Sequence, residues 1–240
     1  MLTSQARSRS DDVATFYDTR QGQHTAALLN RRLRSLVPSF QGRRFLGIGY
    51  PLPYLPADAT ISISARLNHP QTRLNGTLPP TVHDCIVDSG RLPFDNLSME
   101  TVLVVHGLEF TRSASEFLRA IWRVMTDDGL MILVVPNRSG CWAHMDSTPF
   151  GHGSPFSGRQ LTRLLEQEMF RIECHTGALM APSAMLRIGN GTFMEHVGRK
   201  TGYPCAGVHV VTARKNIYAG LPLRQEEALA PLKGRLAEPA

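Results

Sequence analysis

Two short apolar runs constrain this chain more than anything else in it. Val102-Leu103-Val104-Val105 and Met131-Ile132-Leu133-Val134-Val135 are too short for helices and do not alternate polar with apolar residues. Continuous runs of this kind suit strands buried on both faces, as in a parallel sheet. The segment between them has helical period. Ala114, Phe117, Leu118, Ile121, Val124 and Met125 share one face, and Arg119 and Arg123 fall elsewhere. Ser113 with Glu116 three residues on is a capping-box start. Thr126-Asp127-Asp128-Gly129 ends the helix, with Gly129 placed for a left-handed stop. Strand, helix and parallel strand make one crossover unit, for which the right hand is expected. Ligands of such sheets sit outside the carboxyl ends of the strands. Asp88-Ser89, His106 to Phe110 and Pro136-Asn137 stand at those ends.

The remaining elements extend this unit into one α/β domain. Residues 44–49, 59–65, 82–87, 171–176 and 207–213 read as further strands. Asp12 to Leu36 reads as a helix anchored by Val13, Phe16, Tyr17, Leu28 and Leu33, with Gly22 as its interruption. Ser157 caps a helix that turns Leu161, Leu164 and Leu165 to the core. Residues 178–200 read as an insertion containing a helix. The organisation expected is a disordered N-terminus over residues 1–11, a single domain over 12–220 and a flexible tail over 221–240.

The stretch from Asp88 to Leu130 resembles the second half of the class I S-adenosylmethionine-dependent methyltransferases. That family commonly reads Asp-Ala-x-x-Leu-Pro-Phe, a strand with His-x-Leu, and then Arg-Val-Leu-x-Pro-Gly-Gly. Here Asp88-x-x-x-Leu92-Pro93-Phe94, His106-Gly107-Leu108 and Arg123-Val124-Met125 with Asp128-Gly129-Leu130 stand in that order. The resemblance spans residues 40–215. It implies a Rossmann-like, seven-stranded, mostly parallel sheet with helices on both faces. It also implies that the 207–213 strand lies antiparallel between the 171–176 and 130–135 strands.

The resemblance implies S-adenosylmethionine as cofactor. Adenine would be held by Asp88 and the backbone at Ser89. The methionine end would lie over Gly47, Gly49 and Tyr50 and approach His106, and Ser64 or the backbone would serve the ribose. Two motifs depart from the family. In its Asp-x-Gly-x-Gly-x-Gly pattern Phe45 replaces the acid and Pro51 the third glycine. At the end of the second strand Ala65-Arg66-Leu67 stands where an acidic residue normally binds the ribose. On this reading Arg66→Asp leaves cofactor binding unchanged or improves it.

The long loop from Arg138 to Phe156 follows a strand end, and long loops in compact domains tend to be functional. His106, His144 and His152 are candidate bases because imidazole titrates near working pH, and Glu109 is a candidate for orienting an acceptor. His144 and His152 also suit backbone hydrogen bonds within a lid. Methyl transfer to a small or medium-sized acceptor is the function expected, with a small molecule or a protein as partner. A catalytically inactive scaffold serving as a binding or regulatory subunit is the alternative. An RNA methyltransferase is a third reading, raised by Arg31, Arg32, Arg34, Arg43 and Arg44.

The net charge of +6 permits acidic partners, but nucleic acid is not expected. Cys85, Cys141, Cys174 and Cys205 are too widely spaced for a zinc site, and no metal is expected. The absence of an apolar leader and of any long apolar run suggests a cytoplasmic protein without a membrane span.

Overall fold

A computed structural model describes residues 13–37, 39, 43–69, 82–180 and 206–217. The expected N-terminal disorder, the C-terminal tail and the body of the 178–200 insertion lie outside the described residues. Seven strands form one sheet: β1 (Arg44–Gly49), β2 (Ile61–Leu67), β3 (Val82–Val87), β4 (Met99–Val105), β5 (Met125–Pro136), β6 (Phe170–Ala178) and β7 (Val208–Lys215). Their order is β3-β2-β1-β4-β5-β7-β6. β7 runs antiparallel between β5 and β6, and the other pairings are parallel. The antiparallel insertion is therefore as the family resemblance implies.

Among the described residues, four α-helices cover the two faces. α1 (Val13–Asp18) and α2 (Arg20–Leu36) precede the sheet; α3 (Ala114–Val124) joins β4 to β5, and α4 (Gly158–Gln167) leads into β6. Residue parity in the strands separates two cores. Phe45, Leu103, Val105, Ile132 and Val210 pack with α1 and α2, while Leu46, Val102, Val104, Met131 and Val211 pack with α3 and α4. Ser113 caps α3 by accepting from the Glu116 backbone, and Ser157 makes a complete capping box with Gln160. Each such cap satisfies amides that the helix leaves open.

Two local expectations change, and one connection is shorter than a helix. The N-terminal helix breaks at Thr19, not at Gly22. The Thr19 hydroxyl accepts from the Gly22 amide and starts α2 afresh. Gly22 is instead where the two helices touch, since a Cβ there would lie 2.0 Å from the Phe16 carbonyl oxygen. Gly129 is not a left-handed stop: α3 ends at Val124 and the extended Met125 begins β5 at once. Thr126–Gly129 then forms a bulge, because β4 has only Glu100 between its partners of Met125 and Leu130. The β1–β2 connection carries no α-helix, only a short turn of 3-10 helix at Leu52–Tyr54. α2 covers that face instead, and Asn30 donates to the Pro53 carbonyl at 2.6 Å to tie the turn to the helix.

The Gly22 contact sets the angle between α1 and α2. Gly22→Ala should destabilise the protein by about 1–3 kcal/mol, the usual cost of forcing atoms into a packed contact. Urea denaturation measures this, and an unchanged midpoint would mean that α1 does not dock as described.

Candidate functional site

The carboxyl ends of β1 and β4 meet in a close backbone contact. Gly49 has φ +95°, and a Cβ there would lie 2.2 Å from the Val105 carbonyl oxygen and 2.6 Å from that of His106. The Tyr50 amide donates to the Val105 carbonyl at 2.8 Å. His106 itself has φ 52°. This left-handed conformation costs a non-glycine residue on the order of 1–2 kcal/mol.

The His106 side chain is fully buried in a group of aromatic rings. Its Nε2 lies 2.9 Å from the Tyr17 hydroxyl, which lies 2.6 Å from the Tyr54 hydroxyl. Tyr17 stacks on Tyr50 with ring centres 5.5 Å apart, and Phe150 lies 4.6 Å from the imidazole. On the other side of the ring, Nδ1 is 3.3 Å from Glu109 Oε1, and neither side chain has any exposure. The approach is within ion-pairing distance but outside hydrogen-bond geometry. Among the described residues His106 Nδ1 and both Glu109 oxygens have no hydrogen-bond partner.

Protonation follows from the partners. Burial, then the neighbouring Tyr54, hold the Tyr17 phenol well above its ordinary pKa, and burial likewise pushes Tyr54 up. Both remain neutral hydroxyls. A consistent arrangement has Tyr54 donating to Tyr17 and Tyr17 donating to His106 Nε2. The imidazole proton is then on Nδ1, facing Glu109. His106 can take a proton at Nε2 only when Tyr17 yields that position, and Glu109 is placed to stabilise the imidazolium that results.

The other sequence candidates are spread around this centre. Ser64 is buried on β2, pairs in register with Gly47 and has no hydrogen-bond partner for its Oγ among the described residues. Gly47 faces the Pro51 ring, whose Cβ lies 2.3 Å from where a Gly47 Cβ would be. Asp88 is exposed at the tip of β3, where Oδ1 accepts from the Gly90 amide at 2.9 Å, and Ser89 is half-buried beside it. His144 and His152 are not brought together with His106 by any hydrogen bond or ring contact. They bond to carbonyls of their own loop, those of Arg138 and Asp146, each at 3.0 Å.

Arg66 forms a bidentate ion pair with Asp84 on β3, its Nη2 2.5 Å from Oδ2. This changes the expectation for Arg66→Asp. The substitution would set two carboxylates against each other in a partly buried position, and should lower stability without supplying a free acceptor.

Sequence reasoning did not place Tyr54 or Phe150 at this centre. A signal was present, because Tyr17, Tyr50 and Tyr54 are three of only five tyrosines. Their convergence depends on α1 folding back over the β1–β4 tips, which no local pattern announces.

A second polar cluster lies at the ends of β6 and β7. His175 Nε2 is 3.4 Å from His209 Nδ1, and His209 Nε2 donates to the Phe156 carbonyl at 3.1 Å. Burial and then the His209 charge lower the His175 pKa to about 4, and burial lowers that of His209. Unfolded histidine titrates near ~6.5, so the unfolded chain takes up these protons first. Stability held by the neutral pair is complete above that value and is lost as pH falls toward about 4. Urea midpoints should decline across this window, and His175→Gln should flatten the decline. An equal decline in the variant would assign the effect to other groups.

No protein-family profile and no curated protein sequence matches the chain. Solved structures do match. An S-adenosylmethionine-dependent methyltransferase from Thermotoga maritima superposes with a TM-score of 0.59 at 15% identity, covering 81% of this chain and 91% of the other. An S-adenosylmethionine-dependent methyltransferase from Mesorhizobium loti gives 0.55 at 13% identity, covering 77% and 96%. The cyclase SpnF gives 0.53 at 17% identity, covering 78% and 79%. At these identities the likeness is one of architecture, and by its strand order and antiparallel β7 the chain has the class I S-adenosylmethionine-dependent methyltransferase fold.

Proposed function

We propose that the chain binds S-adenosylmethionine at the β3-β2-β1-β4 tips and methylates a small or medium-sized acceptor whose nucleophile carries a proton. The observation that carries this reading is the buried His106–Glu109 pair where the β1 and β4 tips meet, with three polar atoms that lack hydrogen bonds among the described residues. On this reading the cofactor spans the tip row. Asp88 and the Ser89 backbone would hold the adenine, Ser64 and nearby backbone the ribose, and Gly49 and Tyr50 the methionine end. Between the ends Pro51 covers Gly47, and no acid stands at the end of β2, so modest affinity is expected. S-adenosylmethionine, when bound, supplies an electrophilic methyl group. The chain aligns the acceptor, and His106 accepts its proton at Nε2 once Tyr17 has moved aside, with Glu109 stabilising the charged ring.

The second reading is a non-catalytic binding subunit. The Pro51 ring over Gly47 and the Tyr17 hydroxyl against His106 favour it, since both occupy ground that a cofactor or acceptor would need. The RNA reading has less support. Arg44 is paired with Glu100 and Arg32 donates to Thr176, so the arginine cluster is divided.

Titration calorimetry with S-adenosylmethionine and S-adenosylhomocysteine tests these readings. Binding should weaken in Asp88→Ala by about ten- to a hundredfold, the equivalent of one charge-assisted hydrogen bond. Binding indifferent to Asp88→Ala would place the cofactor elsewhere. If neither compound binds at high protein concentration, the non-catalytic reading prevails.

A further inference from the structure

An open cleft of about 990 Å³ lies between α4 and the ends of β5, β6 and β7. Its lining includes Asn137, Arg159, Arg163, Glu166, His175 and His209. Arg159 and Arg163 are one helical turn apart, so both guanidinium groups lie on one face of α4. Neither forms an ion pair with a described residue, although Glu166 lines the same cleft. Elsewhere Arg44, Arg66, Arg119 and Arg214 each pair with a carboxylate. The chain thus neutralises guanidinium groups in several places and leaves two together where a cavity opens.

We propose that this cleft is a binding site for the phosphate or carboxylate group of a small anionic ligand, recognised by Arg159 and Arg163. Guanidinium groups match the planar, two-oxygen edge of either anion. The cavity is of the size that small-molecule sites occupy. His209 is buried and spends its Nε2 hydrogen on the Phe156 carbonyl, so its Nδ1 accepts from His175. The histidine pair therefore forms a neutral wall, and the two arginines supply the attraction.

The loop after β5 connects the cleft to the His106 centre. Asn137 follows the tip of β5, the strand beside β4. The loop from Arg138 to Phe156 leaves the cleft at Ser139, places Phe150 against His106 and returns to the cleft at Ser157. One loop thus forms part of both places. The anion site itself does not depend on cofactor binding, and it stands if the methyltransferase reading fails.

Titration calorimetry at low ionic strength, with inorganic pyrophosphate and with citrate as probes, tests the proposal. At least one probe should bind, and the tighter one identifies the anion class. The double variant Arg159→Gln/Arg163→Gln should weaken that binding by about tenfold or more, the loss of one or two charge-assisted contacts. Both residues are exposed, so the variant should keep the wild-type urea midpoint. Arg31→Gln/Arg34→Gln, a control at two exposed arginines on α2, should leave binding unchanged. Amide shifts on adding the probe should centre on α4, His175 and His209. Binding of neither probe, or binding weakened equally by both double variants, would overturn the site. A single-stranded RNA oligonucleotide that binds far more tightly than either probe, and is lost in both variants, would show a general polyanion surface instead.

Discussion

The contact between Tyr17 and His106 holds together parts of the chain that are remote in sequence. It joins the first helix to the tip of β4, and the partners are 89 positions apart in sequence. Through Tyr54 it reaches the β1–β2 turn, and through Phe150, packed on the same imidazole, it reaches the long loop after β5. With no α-helix between β1 and β2, that face of the sheet depends on α1 and α2 for cover. Those helices are in turn located by the Tyr17 hydroxyl, by the Asn30 bond to Pro53 and by the close contact at Gly22. The sheet would present a bare apolar face along Phe45, Leu103 and Ile132 without them. Burial of that surface, about 25 cal/mol per Å², provides the driving force, and the hydroxyl contacts set where the helices dock.

Much of the sheet was legible because its signals are local. The unbroken runs at Val102–Val105 and Met131–Val135 could hardly be anything but buried strands, and β1 and β3 fall within the bounds expected from sequence. The Ser157 box is a spacing rule with a direct physical cause. The antiparallel β7 was a different matter, since nothing in Gly207–Ala213 states its direction, and family resemblance supplied it. What stayed hidden was set by distant partners. The break at Thr19 depends on α2 having somewhere to turn. Gly129 carries the marks of a helix stop, but the register that β4 offers takes the chain into a strand four residues earlier. Arg66 reads as a lost ribose ligand until Asp84 appears beside it on the neighbouring strand.

The candidate site was legible to a lesser degree. His106 and Glu109 stood out because strand tips gather function in such sheets, and these two prove to be neighbours. His144 and His152 stood out for the same general reason, and the loop's own carbonyls account for the bonds they make. An imidazole carries one donor and one acceptor when neutral, and a long loop is rich in carbonyls that need partners. Position on a functional loop therefore says little about a histidine until its partners are known.

Glu109 is where stability and placement conflict most clearly. Its carboxylate is fully buried beside rings, with neither oxygen hydrogen-bonded among the described residues. An apolar side chain of similar volume would serve the fold as well or better, since isolated buried charge costs more than its pairing returns. His106 alongside it adds a left-handed backbone that glycine would adopt without cost. Two neighbouring departures from the most stable choice, in a region otherwise packed with aromatic residues, are the physical ground for the site proposed at these tips. The same comparison sets the Tyr17–His106 contact in order. It is the covering that makes so unfavourable a pair tolerable within the folded chain, and any chemistry at the pair must begin by disturbing it.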